Sequence, residues 1–108
     1  MPSIEQLKKV LAADPKDPFV LYGLAQEHAK AGNLAESISF YDRCLAEDPH
    51  YCYAYFHKAR AQEAGDDVAG AIATLKAGVE AARAAGDGKA LGETSEYLAM
   101  LREAAADG

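Results

Sequence analysis

Residues 21–49 read LYGLAQEHAKAGNLAESISFYDRCLAEDP. Leu21, Leu24, Ala25 and His28 are spaced by three and four, and so are Ile38, Tyr41 and Leu45. That spacing places each set on one face of an α-helix. The alternation of a half-buried strand is missing. Between the two stripes lie Gly32, a residue that ends helices, and Asn33 with Glu36 three places on, which predicts a capping box for the second helix. The stretch closes on Asp48-Pro49, where a proline cannot continue a helical hydrogen-bond ladder. It therefore encodes two amphipathic helices joined by a tight turn.

The same pattern recurs on both sides with a period of 34 residues. Ile4, Ile38 and Ile72 fall on it, as do Leu7, Tyr41 and Leu75, and Leu11, Leu45 and Val79. Two further series are built of small residues or begin with one apolar residue: Ser3, Ser37 and Ala71, and Val10, Cys44 and Gly78. Asp14-Pro15 returns as Asp48-Pro49, Leu21 as Tyr55 and Ala25 as Ala59. A fixed period of this length is the mark of a repeat architecture, in which each unit buries its apolar face only against its neighbours.

Turn and capping residues divide the chain further. Ser3 with Gln6 reads as a capping box, and Asp17-Pro18 as an N-cap followed by a first-turn proline. Gly65 and Asp67 repeat the break at Gly32, and Gly86 with Gly88 separates two more helices. The expected helices cover residues 3–13, 18–31, 34–47, 52–64, 68–84 and 89–105, with Ala104 to Gly108 expected to fray. Short connections make neighbours antiparallel. The fold class is all-α, an antiparallel helix-pair solenoid of about six helices in a single domain, residues 1–108.

These residues resemble the tetratricopeptide repeat, whose signature runs W-x2-L-G-x2-Y, then A-x3-F, then P. The first full copy, about residues 18–51, reads Leu21-x2-Leu24-Ala25-x2-His28, Ser37-x3-Tyr41 and Pro49, with His28 in place of the tyrosine. The second, about 52–85, reads Tyr55-x2-Lys58-Ala59-x2-Gln62 and Ala71-x3-Leu75. Lys58 and Gln62 stand where apolar or aromatic residues are usual. Arg83 replaces the closing proline, so the fifth helix is expected to run longer. Residues 1–17 resemble the second half of a repeat, with Ser3-x3-Leu7 and Pro15. The sixth helix, about 89–105, resembles a first half after a shift of two, with Leu91, Thr94, Ser95 and Leu98, and is expected to cap the stack. The first helix lacks its usual partner, so Ile4, Leu7, Val10 and Leu11 must satisfy both of its sides.

The resemblance implies a concave groove lined by the first helix of each pair. Its expected lining is Phe19, Tyr22, Gln26 and Lys30, then Tyr53, Phe56, His57 and Arg60, with Lys89 at the same face of the last helix. Aromatic residues and arginine carry much of the energy of protein interfaces. The implied function is a protein- or peptide-binding adaptor or scaffold. Tyr22, Phe56 and Arg60 are expected to contribute most, and Arg60, Lys30 and Lys89 to hold an acidic group. The family's clamp on a chaperone's C-terminal carboxylate uses lysine, asparagine and arginine. The matching positions here hold Tyr22, Gln26, His57, Lys89 and Glu93, of which only Lys89 conforms, so that clamp is expected to be absent. The alternative function is structural self-assembly, a homodimer formed through the N-terminal half-repeat.

Composition bounds the rest. The chain has 108 residues, half of them hydrophobic, and a formal net charge of −6. An acidic balance disfavours a nucleic-acid partner, whose phosphates the summed field repels. No apolar run approaches a membrane span, and the N-terminal residues carry no secretory pattern. Two cysteines, Cys44 and Cys52, fit a reducing cytoplasm without a disulfide frame. His50-x-Cys52 is not a usual zinc-ligand spacing, and Cys44 occupies a small core position. No nucleophile elbow, phosphate loop or carboxylate pair accompanies them. No cofactor, metal or enzymatic activity is expected.

Overall fold

The structure, a computed structural model, describes residues 2–107. Six α-helices follow one another: α1 (Ile4–Ala13), α2 (Pro18–Lys30), α3 (Leu34–Glu47), α4 (Cys52–Ala64), α5 (Val68–Ala85) and α6 (Gly88–Asp107). There is no strand among the described residues. Each helix packs on the next in sequence, and α2, α4 and α6 also touch along one side. The result is a stack of 45 × 31 × 21 Å.

The helix starts follow their capping residues. Ser3 and Gln6 form the reciprocal capping box of α1, and Asp17 accepts hydrogen bonds from the backbone N–H groups of Phe19 and Val20 at the head of α2. Asp67 accepts from the Gly70 N–H, and Asp87 from that of Ala90. The α3 start differs from expectation. Asn33 makes no side-chain capping bond; its amide turns back to the His28 ring, 3.2 Å from Nδ1. The turns that precede α2 and α4 match one another, with Asp14 and Asp48 accepting from the backbone N–H groups of Lys16 and His50.

Helix ends α2 and α4 share one geometry. The N–H of Asn33 bonds the carbonyl of His28, and that of Asp67 bonds Gln62, both at 2.8 Å. This closure requires one left-handed residue. At the first turn it is Gly32, with φ 82°; at the second it is Asp66, with φ 63°, and not Gly65. Without a proline at position 83, α5 runs on to Ala85 and ends at Gly86, which is also left-handed. The last helix continues through Asp107 and not merely to 105, so the fraying expected from Ala104 is not the conformation seen; Gly108 lies outside the described residues.

Burial follows the period. Leu11, Val20, Leu21, Leu24, Ala25, Tyr41, Cys44 and Ala54 form one core cluster, and Ala59, Ala71, Leu75, Leu98 and Leu101 another. Small residues let the backbones approach. Ser37 donates its hydroxyl to the Ala25 carbonyl at 2.7 Å, and one period later Ala71 sits buried in the cluster with Ala59. Two unusual residues find partners. Lys58 reaches Asp42 of α3 at 2.7 Å, and Gln62 accepts from the Thr74 hydroxyl at 2.7 Å. The equivalent pair one period earlier, His28 and Phe40, stacks ring on ring at 5.4 Å. The same junction is thus closed once by stacking and once by a hydrogen bond.

At α1 the expected two-sided burial fails. Leu11 is buried, and Ile4 and Leu7 pack partly against the core, but Val10 remains 53% exposed. Its period-mate Cys44 is fully buried. The reason is topological: Cys44 has a helix on both sides, whereas α1 packs on α2 alone.

Candidate functional site

The faces of α2, α4 and α6 that point away from the core carry a run of aromatic rings. Tyr22 of α2 lies 4.8 Å from Tyr51, 5.9 Å from Tyr41 and 6.0 Å from His57 between ring centroids. His57 of α4 meets Phe56 edge-on at 5.3 Å, and Phe56 meets Tyr97 of α6 at 5.2 Å. These separations and tilts are those of favourable aromatic pairs. The rings therefore tie the three helices together in a continuous spine.

Two hollows open along this spine. The first, about 360 Å³, lies between α2, α3 and α4 and is lined by Gln26, Ala29, Lys30, Leu34, Tyr41, His57, Arg60, Ala61 and Ala64. The second, about 370 Å³, lies between α4 and α6 and is lined by Phe56, Arg60, Glu63, Glu93, Glu96, Tyr97 and Met100. Arg60 lines both, and among the described residues it has no carboxylate within 4.0 Å.

The electrostatics of the two hollows differ. No carboxylate lines the first. Lys30 there is held by Glu27 at 2.9 Å, so Arg60 is its uncommitted cation. Burial, and then the Arg60 guanidinium, lower the pKa of His57 and favour the neutral ring. Burial, and then Tyr51, push the Tyr22 phenol up to about 12, and its oxygen accepts from the Gln26 amide at 2.9 Å. The second hollow sets three carboxylates against one guanidinium. One of them, Glu63, accepts from the Tyr97 hydroxyl at 2.5 Å. Burial, and then that bond, raise the Tyr97 pKa.

Five of the nine residues expected in the groove line a hollow: Gln26, Lys30, His57 and Arg60 in the first, and Phe56 with Arg60 in the second. Tyr22 stands behind them, half-buried against the core. Tyr53 packs beside Cys52, Ala82 and Ala90, edge-on to Phe56 at 6.5 Å. Phe19 is 72% exposed and lines neither hollow. Lys89 is exposed in the first turn of α6 and also lines neither.

The residues that sequence reasoning passed over are Tyr41 and Leu34, which α3 contributes, and the acidic set with Tyr97 and Met100. Glu96, Tyr97 and Met100 of the second group were within reach. Carried through the repeat and the two-residue shift of the last helix, Gln26 leads to Arg60 and Glu96, Glu27 to Ala61 and Tyr97, and Lys30 to Ala64 and Met100.

Neither cysteine lines a hollow. Cys44 and Cys52 are both free and buried. Burial, and then Asp48, push the Cys44 thiol up to about 11; burial, and then Asp87, raise that of Cys52. The Cys52 thiol donates to the His50 carbonyl at 3.3 Å. Among the described residues no group of three or more His, Cys, Asp or Glu side chains is placed to hold a metal, and no helix is long and apolar enough to cross a membrane.

Antiparallel helix pairs repeated every 34 residues, with the first helix of each pair on one shared face, define an all-α helical-repeat solenoid. The sequence model of the tetratricopeptide repeat matches residues 28–93, and the chain belongs to that family. A TPR repeat-containing protein of Pseudomonas aeruginosa is 30% identical over 101 residues, covering 94% of this chain and 96% of that one. A tetratricopeptide repeat domain protein from Salinibacter ruber, solved in solution, is 35% identical with a TM-score of 0.76, over 82% of this chain and 89% of that one. The TPR2B domain of yeast Sti1, solved in complex with pHsp70, superposes with a TM-score of 0.85 over 93% of this chain and 80% of that one, at 23% identity. At that identity the likeness is one of fold.

Proposed function

We propose that residues 1–108 act as one tetratricopeptide-type domain, an adaptor that holds a segment of a partner protein along the face made by α2, α4 and α6. The observation that carries this reading is Arg60: an arginine without an ionic partner among the described residues, standing between two hollows of about 360 and 370 Å³ backed by an aromatic spine. Arginine beside aromatic walls is the composition of interface hot spots. The complex of the yeast Sti1 domain with pHsp70 supports peptide binding by this fold. The net charge of −6 favours a protein partner over a nucleic acid. The reading assigns the chain no chemistry, and its reduced cysteines suit the cytoplasm.

The carboxylate clamp has no counterpart in this reading. Its one conforming residue, Lys89, lines neither hollow, and Glu93 stands in the second. Of the expected leading contacts, Phe56 and Arg60 line the hollows, whereas Tyr22 lines neither and packs against Tyr41 and Tyr51. Phe56→Ala and Arg60→Ala are therefore the clean test. A partner recovered by affinity purification and identified by mass spectrometry should lose about ten-fold or more in affinity with either variant. Unchanged affinity in folded variants removes the groove from the account.

The exposed Val10 supports a second reading, in which α1 of two copies pair to complete each other's half-repeat. Sedimentation of the wild type and of Val10→Lys separates the two. A concentration-dependent dimer abolished by the lysine establishes self-assembly, and a monomer at all concentrations excludes it.

A further inference from the structure

We propose that the hollow between α4 and α6 seats a basic side chain, lysine or arginine, of the bound segment. This rests on the groove reading above and names the chemistry one part of that groove selects.

Three features of the hollow converge. First, its walls are apolar and unfilled. Phe56 and Tyr97 meet at 5.2 Å and present ring surface, and Met100 beside them is 61% exposed. A thioether is soft and adapts to whatever packs on it. Second, its rim is acidic. Glu63, Glu93 and Glu96 line it with a single guanidinium, and among the described residues neither Glu93 nor Glu96 has an ion pair within 4.0 Å. Third, the neighbouring hollow has no carboxylate at all. Arg60 stands between the two, so an acidic group on the ligand draws it toward α2 and leaves the α4–α6 rim more negative.

A wholly apolar side chain would fill the walls but strip water from the carboxylates without replacing it. An acidic one would be repelled. A lysine or arginine satisfies both demands: its methylene stem lies along Phe56, Tyr97 and Met100, and its charged end reaches the rim. The aromatic faces add cation–π attraction and the carboxylates charge-assisted hydrogen bonds. The groove thereby acquires a direction, with the basic residue at α6 and neutral or acidic ones toward α2.

Acetylated, amidated pentapeptide mixtures test this, with the central residue fixed as lysine, arginine, citrulline, leucine or glutamate and the other four randomised. Binding is read by NMR from the Met100 methyl at one hollow and from the Gln26 side-chain amide and the His57 ring at the other. The lysine and arginine mixtures should shift the Met100 methyl at concentrations about ten-fold lower than the citrulline and leucine mixtures. Glu93→Gln combined with Glu96→Gln should erase that difference; if the pair loses its helical dispersion, each single variant serves in its place. Equal response to arginine and citrulline, or the strongest response to glutamate, overturns the proposal. So does a lysine or arginine mixture that shifts Gln26 and His57 without Met100, which leaves the groove reading standing. If no mixture perturbs either hollow at millimolar concentration, both readings fall.

Discussion

A Cβ added to Gly78 of α5 would lie 2.7 Å from the Cβ of Tyr55 on α4 and 3.3 Å from the Thr94 methyl on α6. The contact with Tyr55 is near its backbone and has little room to give. At Gly78 both α4 and α6 come close to α5, and it occupies the position that holds Cys44 one period earlier. Gly78→Ala gains up to about 1 kcal/mol of helix propensity and meets overpacking of about 1–3 kcal/mol. The clash wins, and the urea midpoint should fall with an unchanged slope. A raised midpoint would show that α4 and α5 are not in the close contact described.

Asp66 holds the left-handed position that Gly32 fills one period earlier. Aspartate tolerates that conformation but retains part of its steric cost. Asp66→Gly should stabilise the protein by up to about 1 kcal/mol, because glycine adopts positive φ freely. Gly32→Asp should cost a similar amount. Thermal unfolding of the two variants measures both, and the same sign for both would contradict the equivalence of the turns.

His57 should make stability fall in mild acid. Its folded pKa lies below the usual 6.5, through burial and then Arg60. The ring meets Tyr22 and Phe56 edge-on and lines a hollow with Gln26 and Lys30 of α2, Tyr41 of α3 and Arg60 of α4, in which no carboxylate takes part. As pH falls, the unfolded chain takes up a proton that the folded ring resists, so the unfolded state binds more protons. This contribution is fully present above the unfolded value and lost as pH falls through it toward the folded pKa. His57→Gln should flatten stability between about pH 7 and 5 relative to wild type. Identical pH profiles would mean that His57 charges freely in the folded state.

Cys44 should resist alkylation in native buffer near about pH 8, since burial both hides its sulfur and raises its pKa. Across a urea series, modification of Cys44 followed by mass spectrometry should track the loss of helical signal. Complete labelling within minutes without denaturant would show that α3 opens locally.

Much of the fold was legible because helices end for local reasons. Ser3, Asp17, Asp67, Pro18 and Gly32 act within a few residues of themselves, and all six helix starts fall within one residue of expectation. Asn33 was misread for an equally clear cause: its partner, the His28 ring, is brought within reach by the turn and offers a competing bond. The candidate site was half legible. The family resemblance, carried by the period, implies which side of α2 and α4 is the groove, and Gln26, Lys30, Phe56, His57 and Arg60 on that side line the hollows. Carried on with the two-residue shift of the last helix, the period leads to Lys89 as well as to Glu96 and Tyr97. That Lys89 lines neither hollow while Glu93, Glu96 and Tyr97 line the second comes only from the packing of α6 on α4.

By itself the sequence determined the 34-residue repeat, the helix starts and the family, since spacing and turn chemistry are properties of neighbours along the chain. Tertiary structure alone decided which apolar residues are covered and where the hollows open. Val10 and Cys44 occupy the same place in the repeat, yet one is exposed and the other buried, because burial depends on whether another helix lies alongside. The opposite charges of the two hollows have the same origin: they arise where side chains from separate helices meet, and that meeting is fixed only once the helices stack.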